Sequence, residues 1–270
     1  MRSEISYSRW REEYQNVLKG FPGKIIKLLF SGGNDSSLAL DFILRAGKEF
    51  GFNFETHAAA YPVHMYTDVE KNRITSYWNN RGADINWHDL EVTDNMTDEA
   101  DPCLLCLKLK RRLLKNSLVK TIQDWKNLVL IINYSLWDLA SYCVEYMLMG
   151  ISSIPDKQAN VQKNSRILET AQRFYPLIKM KEGYTMFQPL IKCNTDEILK
   201  LIRKEGIPTL SIPCQFRDFR PKRIFEKYYE NMGIRFDYEK VFQFARKSLN
   251  LPDISFYHSM SKEEHFLNIL

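Results

Sequence analysis

The segment Phe30-Ser31-Gly32-Gly33-Asn34-Asp35-Ser36-Ser37 constrains this chain more than any other. It follows the apolar run Lys24 to Phe30 (KIIKLLF), which reads as a buried strand, and precedes Leu38 to Phe50, which reads as an amphipathic helix. A strand that turns at Gly-Gly into a helix leaves the first helical N–H groups pointing outward, where the helix dipole favours negative charge. The glycines allow a tight turn and a close approach of backbone to ligand. Ser31, Ser36 and Ser37 add hydroxyl donors. The spacing and the missing lysine exclude the phosphate loop that ends in Gly-Lys-Ser/Thr. The plain alternative is a serine-glycine turn that only caps a helix.

The rest of the middle of the chain alternates strand and helix. A leading helix is predicted over 7–19, a helix over about 36–49, a strand from Glu55 to His64, and a helix from Asp68 to Arg81 capped by Asp68. A strand from Ala83 to Leu90 leads into an acidic loop over 91–101, and Pro102 opens a long helix to about Trp125. Asn127 to Asn133 (NLVLIIN) is apolar throughout, as expected of a parallel strand covered on both faces. A helix over Leu136 to Met149, a polar loop over 150–165, a helix running into a strand over Leu168 to Lys179 and a strand over Tyr184 to Ile191 follow. The last helix of this region, Thr195 to Glu205, is capped by Asn194 or Thr195 and stopped by Gly206 and Pro208. This order predicts an α/β fold, a doubly wound parallel sheet of about five strands. Ligands sit at the carboxyl edge of such sheets, where the loop after Phe30, the residues after Tyr61 and those after Asn133 fall. Residues 1–215 are expected to form the nucleotide-binding domain, and 216–270, with helices at about 219–231 and 238–248, a small helical C-terminal extension.

Charge is distributed unevenly. Residues 89–101 carry Asp89, Glu91, Asp94, Asp98, Glu99 and Asp101 without a Lys or Arg, whereas 108–126 carry Lys108, Lys110, Arg111, Arg112, Lys115, Lys120 and Lys126. A second basic cluster comprises Arg217, Arg220, Lys222, Arg223 and Lys227. Two basic patches on a chain of net charge +5 suit a polyanion, or else are solvated helix faces. No run of 18 apolar residues predicts a membrane span, and the charged, aromatic start lacks a signal core, so a cytoplasmic location is expected.

The five cysteines, 103, 106, 143, 193 and 214, are too unevenly spaced for a disulfide framework. Cys103-Leu104-Leu105-Cys106 opens a helix, where the dipole favours thiolates and the spacing lets both sulfurs reach one metal. Cys214, in Ile212-Pro213-Cys214, is the natural third ligand. Three thiolates with one open position suit a [4Fe-4S] cluster. A zinc site completed by another residue, a redox dithiol and inert thiols stay open on spacing alone. Cys193, between a strand and a helix, is an outside candidate, and Cys143 reads as core. Among the histidines, His57, His64 and His88 are acid–base candidates, His64 foremost because it follows the second strand's carboxyl end.

Ser31-Gly32-Gly33-Asn34-Asp35-Ser36 resembles the S-G-G-x-D-S signature of the PP-loop ATP pyrophosphatase family, which has the adenine nucleotide alpha hydrolase-like fold and cuts ATP between the α- and β-phosphates. Further elements resemble the tRNA 2-thiocytidine synthetase branch: Pro102-Cys103-Leu104-Leu105-Cys106, the basic Lys110-Arg111-Arg112, Gln188-Pro189-Leu190, Glu197-Ile198 and Ile212-Pro213-Cys214. The resemblance spans about residues 24–215. It implies that Ser31, Gly32, Gly33, Asn34, Asp35, Ser36 and Ser37, with Tyr61 and Asp138, hold ATP, and that Asp35 serves Mg2+. It implies further that Cys103, Cys106 and Cys214 hold an oxygen-sensitive [4Fe-4S] cluster, and that Lys110, Arg111, Arg112, Arg217, Arg220, Lys222 and Arg223 meet tRNA phosphates. The partners so implied are tRNA, a sulfur-donor protein or inorganic sulfide, and a second copy of the chain.

The chain departs from the family in three places. Asn34 stands where the signature has Lys. The family's Gly-His-x-x-Asp-Asp turn reads Asn133-Tyr134-Ser135-Leu136-Trp137-Asp138, in which only Asp138 matches. The second strand lacks the acidic residue near the adenine, leaving Tyr61, His64 or Tyr66 to shape that pocket. The function expected is an ATP-dependent sulfurtransferase acting on tRNA. Its alternatives are an adenylating ligase or amidating enzyme with a structural zinc, and a non-catalytic nucleotide-binding module.

Overall fold

The computed structural model describes residues 5–60, 67–89, 121–152, 171–210 and 221–268, together with positions 106, 109, 112, 113 and 116. Its elements in chain order are α1 (Tyr7–Leu18), β1 (Ile25–Phe30), α2 (Asn34–Phe50), β2 (Glu55–Ala60), α3 (Asp68–Arg81), β3 (Ile85–Asp89), β4 (Leu128–Ile131) and α4 (Leu136–Ser152). Then come β5 (Leu177–Lys179), β6 (Thr185–Phe187), α5 (Thr195–Glu205), α6 (Pro221–Asn231), α7 (Tyr238–Ser248), α8 (Ile254–Ser259) and α9 (Lys262–Asn268). Between β3 and β4, Cys106, Leu109, Arg112, Leu113, Asn116 and Thr121 have helical backbone, and the chain leaves the helix by Ile122, earlier than Trp125.

The strands form one sheet in the order β3-β2-β1-β4-β6-β5. All pairings are parallel except β5–β6, which is antiparallel. The expected doubly wound α/β sheet is therefore present, with a short antiparallel strand added at one edge. From β1 the chain winds outward through β2 to β3; it then returns beside β1 as β4 and winds the other way to β6.

Two apolar cores flank the sheet, and β4 explains both. Val129 and Ile131 pack with α1, α2, α3 and α5 on one face, while Leu128 and Leu130 pack with α4, α7 and α8 on the other. Successive strand residues point to opposite faces, so a strand buried on both must be apolar throughout. Ala245, Leu249, Leu251, Tyr257 and Met260, from the C-terminal part of the chain, share the second core. Trp10 pins α1 to the sheet by donating its indole N–H to the Pro189 carbonyl at 2.8 Å.

Local rules set most helix ends. Asn194 and Glu197 form a capping box at the start of α5, and Gly206 ends it with φ 63°. The cap of α3 is Thr67 rather than Asp68: Thr67 has extended backbone and its hydroxyl accepts the Glu70 N–H at 3.2 Å, leaving Asp68 inside the first turn. Among the described residues, no helix is long and apolar enough to cross a membrane.

Candidate functional site

The strand order reverses between β1 and β4, and that is where the loop after β1 lies. Gly32 adopts φ 71°, a left-handed turn that redirects the chain from β1 into α2. Gly33 is the N-cap of α2 and offers no side chain to cap it. The loop is instead held from within. The Ser31 N–H donates to Ser36 Oγ at 3.2 Å, Ser36 Oγ donates to the Gly33 carbonyl at 3.0 Å, and the two serine hydroxyls lie 3.1 Å apart. The Gly33 N–H reaches Ser31 Oγ at 3.4 Å. Ser37 is wholly buried, and its hydroxyl has no hydrogen-bond partner among the described residues. The start of α2 is thus left without a side-chain cap, an arrangement whose outward N–H groups favour negative charge.

The end of β4 closes the other side. Asn133 donates its amide to the Leu29 carbonyl at 2.7 Å, tying the ends of β1 and β4 together, while its Oδ1 is buried without a partner among the described residues. Sequence reasoning treated Asn133 only as a departure from the family; its place at the switch point was its one signal. Asp138 is buried, and its carboxylate accepts the Ser135 N–H at 2.8 Å and the Ser135 hydroxyl at 3.1 Å, which caps the first turn of α4. Ser135 Oγ also meets Thr195 Oγ1 at 3.0 Å, bringing the start of α5 to the same edge.

A second tie reaches the loop from after α5. The Leu210 N–H donates to the Gly32 carbonyl at 2.8 Å, and the Leu210 side chain occupies the space a Cβ on Gly32 would need, 2.1 Å from Leu210 Cδ1. Arg73 of α3 donates to the adjoining Thr209 carbonyl at 2.7 Å and to Glu70 at 2.8 Å. Neither Arg73 nor Leu210 carries a sequence signal of this role.

Ser31, Gly32, Gly33, Asn34, Asp35, Ser36 and Ser37 thus fall together at the switch point. Tyr61, Cys103, Cys214, Lys110, Arg111, Arg217 and Arg220, and likewise His64 and Tyr66, lie outside the described residues. Cys106 is a buried thiol on helical backbone. Arg112 is exposed, Lys222 lies on α6, and Arg223 is exposed but paired with Glu226 at 2.8 Å. Among the described residues, no group of three or more His, Cys, Asp or Glu is placed to hold a metal.

Cys143 is a core residue, whereas Cys193 is only partly buried. Burial pushes the Cys143 thiol up to about 12. Cys193 borders a cleft of about 490 Å3 between α1, residues 189–197 and residues 235–240, and burial, then Glu197, push its thiol well above the usual range. His57 and His88 stack, with His57 Nδ1 and His88 Nε2 2.9 Å apart and His57 Nε2 3.2 Å from Glu55. Burial and the Lys27 ammonium hold His57 below the usual imidazole range. This pair sits on the sheet face, with Glu55 also bound to Lys27 at 2.6 Å.

These features define an α/β protein of adenine nucleotide alpha hydrolase-like fold, with the Gly32–Gly33 turn at its switch point. Among solved structures, the fold matches the U34-tRNA thiolase NcsA from Methanococcus maripaludis, solved with its [4Fe-4S] cluster. The TM-score is 0.63 at 15% sequence identity, covering 92% of this chain and 82% of that one. NMN synthetase from Francisella tularensis superimposes at a TM-score of 0.44 and 13% identity, over 97% of this chain and 96% of that one, a score too low to carry an argument. No protein-family model matches the chain, and no curated protein matches its sequence.

Proposed function

We propose that this chain is a divergent PP-loop ATP pyrophosphatase that adenylates a nucleobase in tRNA and exchanges the adenylated oxygen for sulfur. The observation that carries the reading is the cradle at Gly32 and Gly33, which suits the pyrophosphate portion of ATP. There Ser31, Ser36 and the N–H groups at the start of α2 hold the phosphates, and Asp35 serves Mg2+. A base oxygen attacks the α-phosphorus, pyrophosphate leaves, and an incoming sulfur then displaces AMP. Cys103, Cys106 and Cys214 would hold a [4Fe-4S] cluster, which supplies an open iron position for a sulfur atom. The shared fold with a tRNA thiolase supports this assignment, as does the tie of Leu210 to the loop. Cys214 lies four positions after Leu210, a reach of at most ~14 Å of extended chain. Lys110, Arg111, Arg112, Arg217, Arg220, Lys222 and Arg223 meet tRNA phosphates.

Metal analysis of anaerobically purified protein tests the cluster. About four irons with matching labile sulfide, lost in Cys214→Ala, are expected of a cysteine-held cluster. One zinc and no iron would overturn it and favour the adenylating ligase with a structural zinc. Binding of tRNA should weaken steeply with salt, because counterions are released at each phosphate contact; affinity flat across salt would remove RNA from the account.

A further inference from the structure

We propose that Arg73 is a positioning residue for the nucleotide loop, acting through two peptide groups in series to turn and polarise the Gly33 N–H toward the bound phosphate. The inference rests on the nucleotide reading above. The chain of contacts is continuous. Arg73 Nη2 donates to the carbonyl of Thr209 at 2.7 Å. That carbonyl and the N–H of Leu210 belong to one peptide group, and the Leu210 N–H donates to the carbonyl of Gly32 at 2.8 Å. The Gly32 carbonyl and the Gly33 N–H again belong to one peptide group. No described peptide is cis, and in a trans peptide carbonyl and N–H point to opposite sides. Fixing the Gly32 carbonyl toward Leu210 therefore turns the Gly33 N–H away from it, into the loop, where it lies 3.4 Å from Ser31 Oγ.

The direction of every donor is the same, from the guanidinium to the loop. Hydrogen bonds in series polarise one another, so the positive charge of Arg73 strengthens the Gly33 N–H as a donor to an anion. Glu70, 2.8 Å from Arg73, holds the guanidinium in place. Leu210 adds a steric brace, since its side chain fills the space on the Cβ side of Gly32. The loop can keep its bare glycines for the ligand because its shape is enforced from α3 and from the segment after α5.

The test is equilibrium binding of Mg-ATP to the full chain, with melting temperature and the amide proton shift of Gly33 measured in parallel. Arg73→Ala should weaken Mg-ATP binding about threefold, less than the loss of a direct hydrogen bond to the ligand because Arg73 is exposed, paired with Glu70 and acts through two peptide groups, and move the Gly33 amide proton upfield. Arg73→Lys, which keeps charge and a donor, should recover most of the affinity. Arg73→Gln, which keeps a donor without charge, should not. Arg246→Ala removes a comparable exposed ion pair with Asp253 far from the loop and should leave binding unchanged. Binding by Arg73→Ala within twofold of wild type, or equal binding by the Lys and Gln variants, overturns the relay. A wild-type chain that binds no Mg-ATP overturns the nucleotide reading, and the relay with it.

Discussion

Replacing Gly32 by alanine isolates the geometry on which the proposed nucleotide cradle depends. Gly32 sits at φ 71°, and an L-residue held in that left-handed region costs about 1–2 kcal/mol. The new Cβ would also lie 2.1 Å from Leu210 Cδ1 and 2.4 Å from Leu210 Cγ, so Leu210 would have to give up its packing. Overpacking of that kind costs a further ~1–3 kcal/mol. Gly51 is the matched control: its φ is 74°, yet nothing lies within 4 Å of its added Cβ, so only the conformational cost applies. The difference between the two variants is then about 1–3 kcal/mol, which for a chain of this size lowers the melting temperature by roughly 2–4 °C per kcal/mol. Differential scanning calorimetry should find Gly32→Ala melting below Gly51→Ala by that margin. Equilibrium dialysis should find Mg-ATP affinity lost in the first and kept in the second. Equal melting temperatures and equal affinities would refute the reasoning, because Leu210 and the loop would then be mechanically independent.

Other outcomes follow from single buried groups. Removing the unsatisfied, wholly buried hydroxyl in Ser37→Ala should leave stability unchanged or raise it by up to ~1 kcal/mol; a clear loss of stability in urea unfolding would show that the hydroxyl serves the fold. His265 is wholly buried between the Tyr184 hydroxyl at 2.7 Å and Gln172 at 2.9 Å, and burial pushes its imidazole down to about 3. The unfolded chain therefore binds a proton that the folded chain refuses, so this stability is present above pH ~6.5 and drains away as pH falls toward 3. Urea midpoints measured from pH 7.5 to 4.5 should fall more steeply for wild type than for His265→Gln, and parallel slopes would contradict the assignment. Cys143 should resist iodoacetamide in the native protein at pH 8, since burial in the second core shields it and holds it as a thiol; rapid labelling would show that it is reached by solvent.

The sheet was legible because burial leaves a pattern. The run at Asn127 to Asn133 is apolar since β4 feeds Leu128 and Leu130 to one core and Val129 and Ile131 to the other. The turn after β1 was legible because glycine suits the left-handed backbone and close contact at Gly32. Strand β5 was visible only as the end of a longer stretch: three residues are too few to show a period, and its antiparallel pairing depends on where β6 lies. The cap of α3 was misplaced by one residue because Thr67 and Asp68 are both good caps and only backbone geometry separates them. The brace on the loop could not be read at all. Arg73 and Thr209 are 136 residues apart, and nothing in either neighbourhood marks the contact. His265 was equally silent, because its burial is created by Tyr184 and Gln172 and not by the polar stretch KEEHFLN around it.

The central claim is that the Gly32–Gly33 cradle holds ATP for attack at the α-phosphorus. Incubating the anaerobically prepared chain with α-labelled ATP, Mg2+, tRNA and sulfide, and separating the nucleotide products, tests it most directly. The account predicts AMP with one pyrophosphate per turnover, lost in Gly32→Ala. ADP with inorganic phosphate, or no cleavage at all, would contradict it.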